Sequence, residues 1–362
     1  MAKNKVAIAL GLILLCLTTS SVNLQPVKSQ NPNNIIINSD GSINPTSAPI
    51  LCNGTKYTLT DNFDGYLTII ASNIVLDGAG HVVKGIEGEN IVNVMTTDIY
   101  NLTNVVIQNF VIQGEFDLVR FGIRLASKSN ISVINNSISN TYIGINLYGS
   151  GNTVSGNTIT NTQHIAIQED GGNSVIFGNT ITNTRGISGI AIAMSSHSLV
   201  VGNLLKDNQY GIFTWTYGGF LFPYAIPPTG SVVYGNNFID NSYNALNNGT
   251  EGASIGEVAK WDNGSMGNYW SDYNGQGVYV IDQNNVDNHP LSAPIDISKL
   301  TLESLFSVTP SPTPTVTPSP STSTPTPTVP EFPSWTILLL ISVALAVAGF
   351  LVYFKRHRRE AS

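Results

Sequence analysis

Gly144 to Asn161 reads GINLYGSGNTVSGNTITN, and the phrase returns at Ala166 to Asn183 (AIQEDGGNSVIFGNTITN) and at Gly189 to Asn208 (GIAIAMSSHSLVVGNLLKDN). Each copy alternates aliphatic and polar residues, turns through Gly or Asn, and alternates again. A fixed period of about 20 to 30 residues, built from short β-branched runs and turn residues, marks a β-solenoid in which no coil buries its apolar side alone. The spacing holds along the middle of the chain. Gly122, Gly144, Ala166, Gly189 and Gly211 follow one another at 22, 22, 23 and 22 residues. A second landmark, Asn109, Asn136, Asn157, Asn179, Asn203 and Asn236, has steps of 27, 21, 22, 24 and 33, the two long steps marking loops.

The pattern predicts a parallel β-helix over residues 33–297 with coils of about 22 residues. In each coil Ile145 and Leu147 and their equivalents point inward while Asn146 points outward. Corners are expected at Gly and Asn, which tolerate positive φ. Stacked coils lie about 4.8 Å apart, so the six landmark Asn amides are expected to form a hydrogen-bonded ladder.

Composition narrows the setting. Only 11% of residues are charged and the net charge is −7, with Lys and Arg scattered singly through the repeats. A phosphate backbone needs a basic face, so nucleic acid is excluded as a partner.

Both ends carry targeting information. Lys3 and Lys5 precede an apolar run from Val6 to Leu17, and residues 1–25 read as a secretory signal peptide. Residues 335–354 run without a charge from Trp335 to Phe354, long enough to cross about 30 Å of hydrocarbon as a transmembrane helix. Lys355, Arg356, Arg358 and Arg359 follow, which places the tail 355–362 in the cytoplasm and the β-helix outside the cell or in a pseudo-periplasmic space. Between them, residues 298–334 form a Ser/Thr/Pro-rich stalk, and Pro330-Glu331-Phe332-Pro333 resembles the short sorting signals of prokaryotic surface proteins. After signal removal Cys52 is the remaining cysteine, so no intramolecular disulfide can form. Sequons at Asn53, Asn101, Asn130, Asn135, Asn248 and Asn263 are candidate N-glycan acceptors in an exported chain.

The 33-residue step hides a different kind of sequence. Phe213 to Gly230 (FTWTYGGFLFPYAIPPTG) gathers Trp215, Tyr217, Phe220, Phe222 and Tyr224 between prolines. Exposed rings there would stack on sugar faces or anchor a protein partner, whereas packed rings would make the segment a flap on the helix flank. Trp261, Tyr269, Trp270 and Tyr273 are expected to close the exposed end of the hydrophobic column.

The coils resemble the parallel β-helix repeats of the NosD-like family of exported proteins, over roughly Ile35 to Ile297. Asn73 to Gly80 (NIVLDGAG) is similar to the family's opening coil, and Gly267 to Gly275 (GNYWSDYNG) with Asp287 to Leu291 (DNHPL) to its closing segment. The family takes its name from an accessory protein for copper-site maturation, so the resemblance implies an exported β-helix and raises copper as a cargo. Copper prefers converging sulfur and imidazole ligands. His81, His164, His197, His289, Met95, Met194, Met266 and Cys52 form no His-x-His, Met-x-x-Met or Cys-x-x-Cys arrangement, and His289 stands where the family commonly has an aromatic residue. No resident cofactor is therefore expected, while a weak copper site, or a calcium site using Asp272 or Asp282, stays open.

A β-helix also hosts polysaccharide lyases and glycosidases. A glycosidase needs two carboxylates placed across the scissile bond, and the adjacent Glu169 and Asp170 would point to opposite faces of a strand. A lyase needs a base and cations; Arg120 and Arg124, with Asp117 nearby, are better read as solvated surface residues. The sequence thus points first to a membrane-anchored, non-catalytic binding module for glycans or surface-layer proteins, second to a carbohydrate-active enzyme, and third to a metal-delivery accessory protein.

Overall fold

The computed structural model describes residues 34–85, 90–94, 102–115, 119–126, 129–186, 188–215, 230–248 and 259–301. The signal segment, residues 302–334 of the stalk and the apolar run Trp335–Phe354 lie outside them, while the first stalk residues 298–301 are described, with Leu300 packed against the Val201 and Tyr234 cluster. Among the described residues no helix is long and apolar enough to cross a membrane. The chain divides into the units Met1–Ser307 and Val308–Ser362, and every described residue belongs to the first.

Among the described residues regular structure is β throughout, apart from one 3₁₀ turn at Ile297–Lys299. The strands gather into three long stacks of ten, ten and nine, and the chain visits them in rotation. Ile143–Leu147 lies in the first sheet, Thr153–Ser155 in the second and Thr158–Thr160 in the third, before Ile165–Glu169 returns to the first beside Ile143–Leu147. Neighbouring coils pair in parallel, which makes the architecture a three-sided parallel β-helix. Ile123, Ile145 and Ile167 are successive partners, each 22 residues after the last, and the step widens to 33 between Ile212 and Ala245. Antiparallel strands Ile43–Asn44 and Ile50–Asn53 cover the N-terminal end.

Alternation fills the interior. Leu76, Ile107, Val133, Val154, Ile176, Val200 and Val233 succeed one another along the second sheet without measurable exposure, and Ile112, Ile138, Ile159, Ile181 and Leu205 do so along the third. At the C-terminal end Phe238, Trp270 and Tyr279 stack face to face, with ring centroids 4.2 Å apart at each step, and Trp261 packs against Trp270 at 5.9 Å. Trp261 and Trp270 are each 1% exposed and seal the column. Tyr269 and Tyr273 are only partly buried beside them.

The corner between the second and third sheets divides its work between two residues. Gly156, Gly178, Gly202 and Gly235 make the left-handed bend, with φ of 65°, 64°, 66° and 63°. The Asn that follows each glycine turns inward. Asn136, Asn157, Asn179, Asn203, Asn236 and Asn268 form a continuous ladder, each side-chain amide donating to the next Oδ1 at 2.9–3.0 Å. Backbone N–H groups of the same residues donate to the same oxygens at 2.9–3.2 Å. The ladder expected from the sequence therefore needs a correction at its start. Asn109 adopts φ 58° and is the bending residue of its coil, while Phe110 occupies the inward position and gives its N–H to Asn136 Oδ1 at 3.0 Å. A dipeptide of the Gly-Asn type bends at its first residue and bonds inward at its second, so an Asn in the first position cannot reach the column.

Candidate functional site

On the first sheet the chain does something the other two do not. Phe121 pairs with Ile143 and Ile123 with Ile145, and the glycine between each pair lies flat against the next coil. A Cβ at Gly144 would sit 2.5 Å from the Ala166 carbonyl oxygen. The resulting irregularity turns Phe121, Ile143, Ile165 and Ile190 into an apolar column separate from the main core, with Tyr142, Tyr210 and Phe213 packed against it. A polar column runs alongside, with Asn93, Arg124, Asn146 and Gln168 as successive partners. Arg124 lies over the rings of Phe121 and Tyr148, 5.7 Å from each, and Arg120 over Phe121 at 5.2 Å. These cations pack on aromatic faces; Asp117 lies outside the described residues.

Glu169 and Asp170 do part company. Glu169 is fully buried, its carboxylate receiving the N–H groups of Gly172 and Ser195 and the Ser174 hydroxyl. Burial pushes its carboxyl above the usual range despite these donors. Asp170 accepts from Gln168 at 3.0 Å and Asn146 at 3.4 Å on the polar column. No substrate can reach the first carboxylate, which is enclosed by its own backbone.

The first sheet ends at Tyr243–Asn248, and a compact constellation forms there. The Tyr243 ring, 56% exposed, stacks on Tyr210 with centroids 5.1 Å apart and planes 15° from parallel. Beside it Asp272 accepts from Asn244 Nδ2 at 2.8 Å and from the Tyr279 hydroxyl at 3.1 Å. Burial, with the Asp272 charge adding to it, pushes the Tyr279 phenol up to about 12, so it stays a donor. A cavity of about 150 Å³ opens between these groups. Sequence reasoning missed Tyr243, Asn244 and Tyr279. Their signal was an aromatic ring at a position where earlier coils carry Ile, visible only once Tyr210 and Tyr243 are aligned with Ile190.

A larger cavity of about 560 Å³ lies near Lys260, Trp261, Asp262 and Asn288. Asp262 there is occupied by the molecule itself, accepting from Gly264, from the Asn288 backbone and side chain, and from His289 Nδ1 at 3.2 Å. Burial raises its carboxyl, but these donors outweigh it and hold the group below the usual range.

The other residues singled out by sequence fall as follows. Trp215 is the last residue of strand Tyr210–Trp215, and Tyr217, Phe220, Phe222 and Tyr224 lie outside the described residues. Of the sequons, Asn53, Asn130, Asn135 and Asn263 are exposed, Asn248 ends strand Tyr243–Asn248, and Asn101 lies outside the described residues. Asn130 gives its amide to Asn104, and Asn263 Oδ1 accepts from Ser265 and Met266 within a turn.

A copper centre can be tested on the donors present. Among the described residues no three His, Cys, Asp or Glu side chains stand close enough to hold a metal ion. Cys52 is exposed with its Sγ directed to Gly54 O at 3.5 Å, Met194 is sealed in the core, and His289 is held by Asp262. His164 stacks on Tyr142 at 4.9 Å with a buried Nδ1 that has no hydrogen-bond partner, and burial holds its imidazole below the usual value, in the neutral form. One neutral imidazole is a ligand but not a site, and the described donor set does not fit copper. Asp272 and Asp282 are likewise bound by protein donors, Asp282 by Asn284 and Asn285.

The fold and this distribution of groups define a repeat-built parallel β-helix protein. A family model described as "Periplasmic copper-binding protein (NosD)" matches residues 64–275, more than half of the chain, and the chain belongs to this family. No curated protein matches it.

Proposed function

We propose that this protein is a membrane-anchored extracellular binding module for surface glycans, a right-handed β-helix that holds its ligand without transforming it. The observation that carries the reading is the exposed Tyr243 ring, stacked on Tyr210 and standing next to an Asp272 carboxylate at the end of the first sheet. An aromatic face beside a polar acceptor is what a sugar ring presents itself to, apolar C–H groups on one side and hydroxyls at the edge. In the sequence the aromatic residues Tyr217, Phe220, Phe222 and Tyr224 follow Trp215, the last residue of strand Tyr210–Trp215 on this sheet. A non-catalytic role is supported by the engagement of Glu169, Asp262 and Asp287 with donors of the protein itself, which leaves these carboxylates without the freedom an acid–base pair requires.

Export, the stalk 298–334 and the anchor Trp335–Phe354 complete this reading, with the tail 355–362 in the cytoplasm. A glycan array probed with the full chain tests it, with Trp215→Ala and Tyr217→Ala as companions. Retention of a defined set of glycans is expected, and an array without bound glycans would sink the proposal.

The family description favours copper delivery as a second reading. The residues described do not gather the ligands for it, and we propose that the protein carries no resident metal. Stoichiometric copper kept through dialysis would restore the copper reading.

A further inference from the structure

The corner formed by Tyr243, Asn244, Asp272 and Tyr279 is more specific than a general glycan surface. Its cavity of about 150 Å³ is small, comparable in volume to an enclosed cavity that holds one six-membered ring such as benzene. One wall is the face of Tyr243, held rigid by Tyr210 behind it. The floor is Asp272, whose two oxygens are oriented by separate donors, Asn244 Nδ2 on Oδ1 and the Tyr279 hydroxyl on Oδ2. Each oxygen keeps lone-pair capacity for one further donor, since a carboxylate offers about four acceptor positions. The Ser242 hydroxyl is exposed at the rim, and Val280, 61% exposed, forms an apolar lip.

Charge sets the class of ring. Among the described residues no Lys, Arg or His lines this cavity, and Asp272 is the one carboxylate that does. A ligand carrying its own carboxylate would meet a like charge with no counter-ion, which is unfavourable at such range. Vicinal hydroxyls would instead donate to Asp272 in charge-assisted hydrogen bonds. Resting on the binding-module reading above, we infer that this corner is a site for the terminal ring of a neutral glycan, a single hexose stacked on Tyr243 with its hydroxyls on Asp272, and that it discriminates against uronic acids.

Saturation-transfer NMR on the full chain in detergent tests this, using the methyl glycosides of glucose, galactose and mannose and of galacturonic acid as probes. At least one neutral hexoside should receive saturation, and the uronate should not. Asp272→Asn should weaken binding about tenfold or more, since a charged acceptor is replaced by a neutral amide of the same shape. Tyr243→Ala should abolish it. Both side chains are exposed, and a melting curve for each variant checks that the fold survives; if Asp272→Asn melts early, Tyr243→Ala alone decides. Hexoside binding indifferent to a folded Tyr243→Ala overturns the site while leaving the binding-module reading intact. Galacturonoside binding equal to that of the hexosides overturns the discrimination. Absence of hexoside binding by a chain that does retain polysaccharide also overturns the site, and absence of both removes the site together with the reading beneath it.

Discussion

Asn268 gives both its backbone N–H and its side-chain amide to one oxygen of Asp287, at 2.7 and 3.4 Å. The Trp270 indole donates to that same oxygen at 2.9 Å, and His289 N–H to the other at 3.0 Å. The Asn268 side-chain amide also donates to Val233 O at 3.0 Å and Trp261 O at 2.8 Å, so it is the Asn268 backbone N–H, a group matched in earlier coils by the next Asn Oδ1, that needs an acceptor no further coil supplies. Asp287 is that acceptor. It ends the column as an acidic side chain ends the exposed N–H groups of a helix.

Asp287→Ala should therefore destabilise the fold by roughly 3 kcal/mol or more, because the Asn268 and Trp270 donors lose their partner in a buried site. Asp287→Asn keeps one acceptor oxygen and should lose less than half as much. Urea unfolding compares the two, and equal losses would contradict the role of the carbonyl-type oxygen. Gly267→Ala should resemble Asp287→Ala, since its Cβ would lie 1.9 Å from Asp287 Oδ1.

Two asparagines that look alike in sequence should behave differently. Asn179→Ala removes the acceptor for Asn157 and the donor to Val154 and Asn203, with an expected cost of roughly 2 to 4 kcal/mol. Asn109→Gly keeps the φ of 58° that its corner needs and forfeits one bond to Asp77, so a change within about 1 kcal/mol is expected. Matching losses in denaturation would place Asn109 back in the column.

Much of this was legible from the repeat. The period, the inward aliphatics and the closing tryptophans follow from residues such as Ile145, Ile167 and Trp270, whose chemistry permits few other placements. The assignment of Asn109 failed because Asn satisfies two demands, positive φ and amide stacking, and sequence does not say which one a given Asn meets. The role of Asp287 was not legible, since nothing in DNHPL shows that its carboxylate reaches back under Asn268. The Tyr243 corner was hidden because its members are spread from Ser242 to Tyr279 and meet only when the last coil closes.

Stability should vary with pH in two opposed limbs. Burial raises the Glu169 carboxyl above its ordinary 4.5 and that of Asp287 above 3.8, so the folded state keeps these protons longer than the unfolded chain. Stability from these groups is full below the ordinary values and is lost as pH rises through the folded ones. Asp77 behaves oppositely. Burial pushes its carboxyl up, but Lys56, at 2.9 Å, with Asn109, Ala79 and Gln108, outweighs it and holds the group well below 3.8. Its contribution is present above 3.8 and lost as pH falls further. Thermal melting should thus improve on acidification toward about 4.5 and decline below 3.8, with Glu169→Gln flattening the upper limb and Asp77→Asn the lower. An upper limb untouched by Glu169→Gln would show that this carboxyl is not the group responsible.

Holding a glycan without cutting it is the central claim, and one measurement reads both halves. The full chain is incubated with a surface polysaccharide that it retains, and the recovered polymer is sized and assayed for new reducing ends and unsaturated sugars. The account predicts retention with the chain-length distribution unchanged and no new ends. Shortened polymer carrying either kind of end would contradict it and make the protein an enzyme.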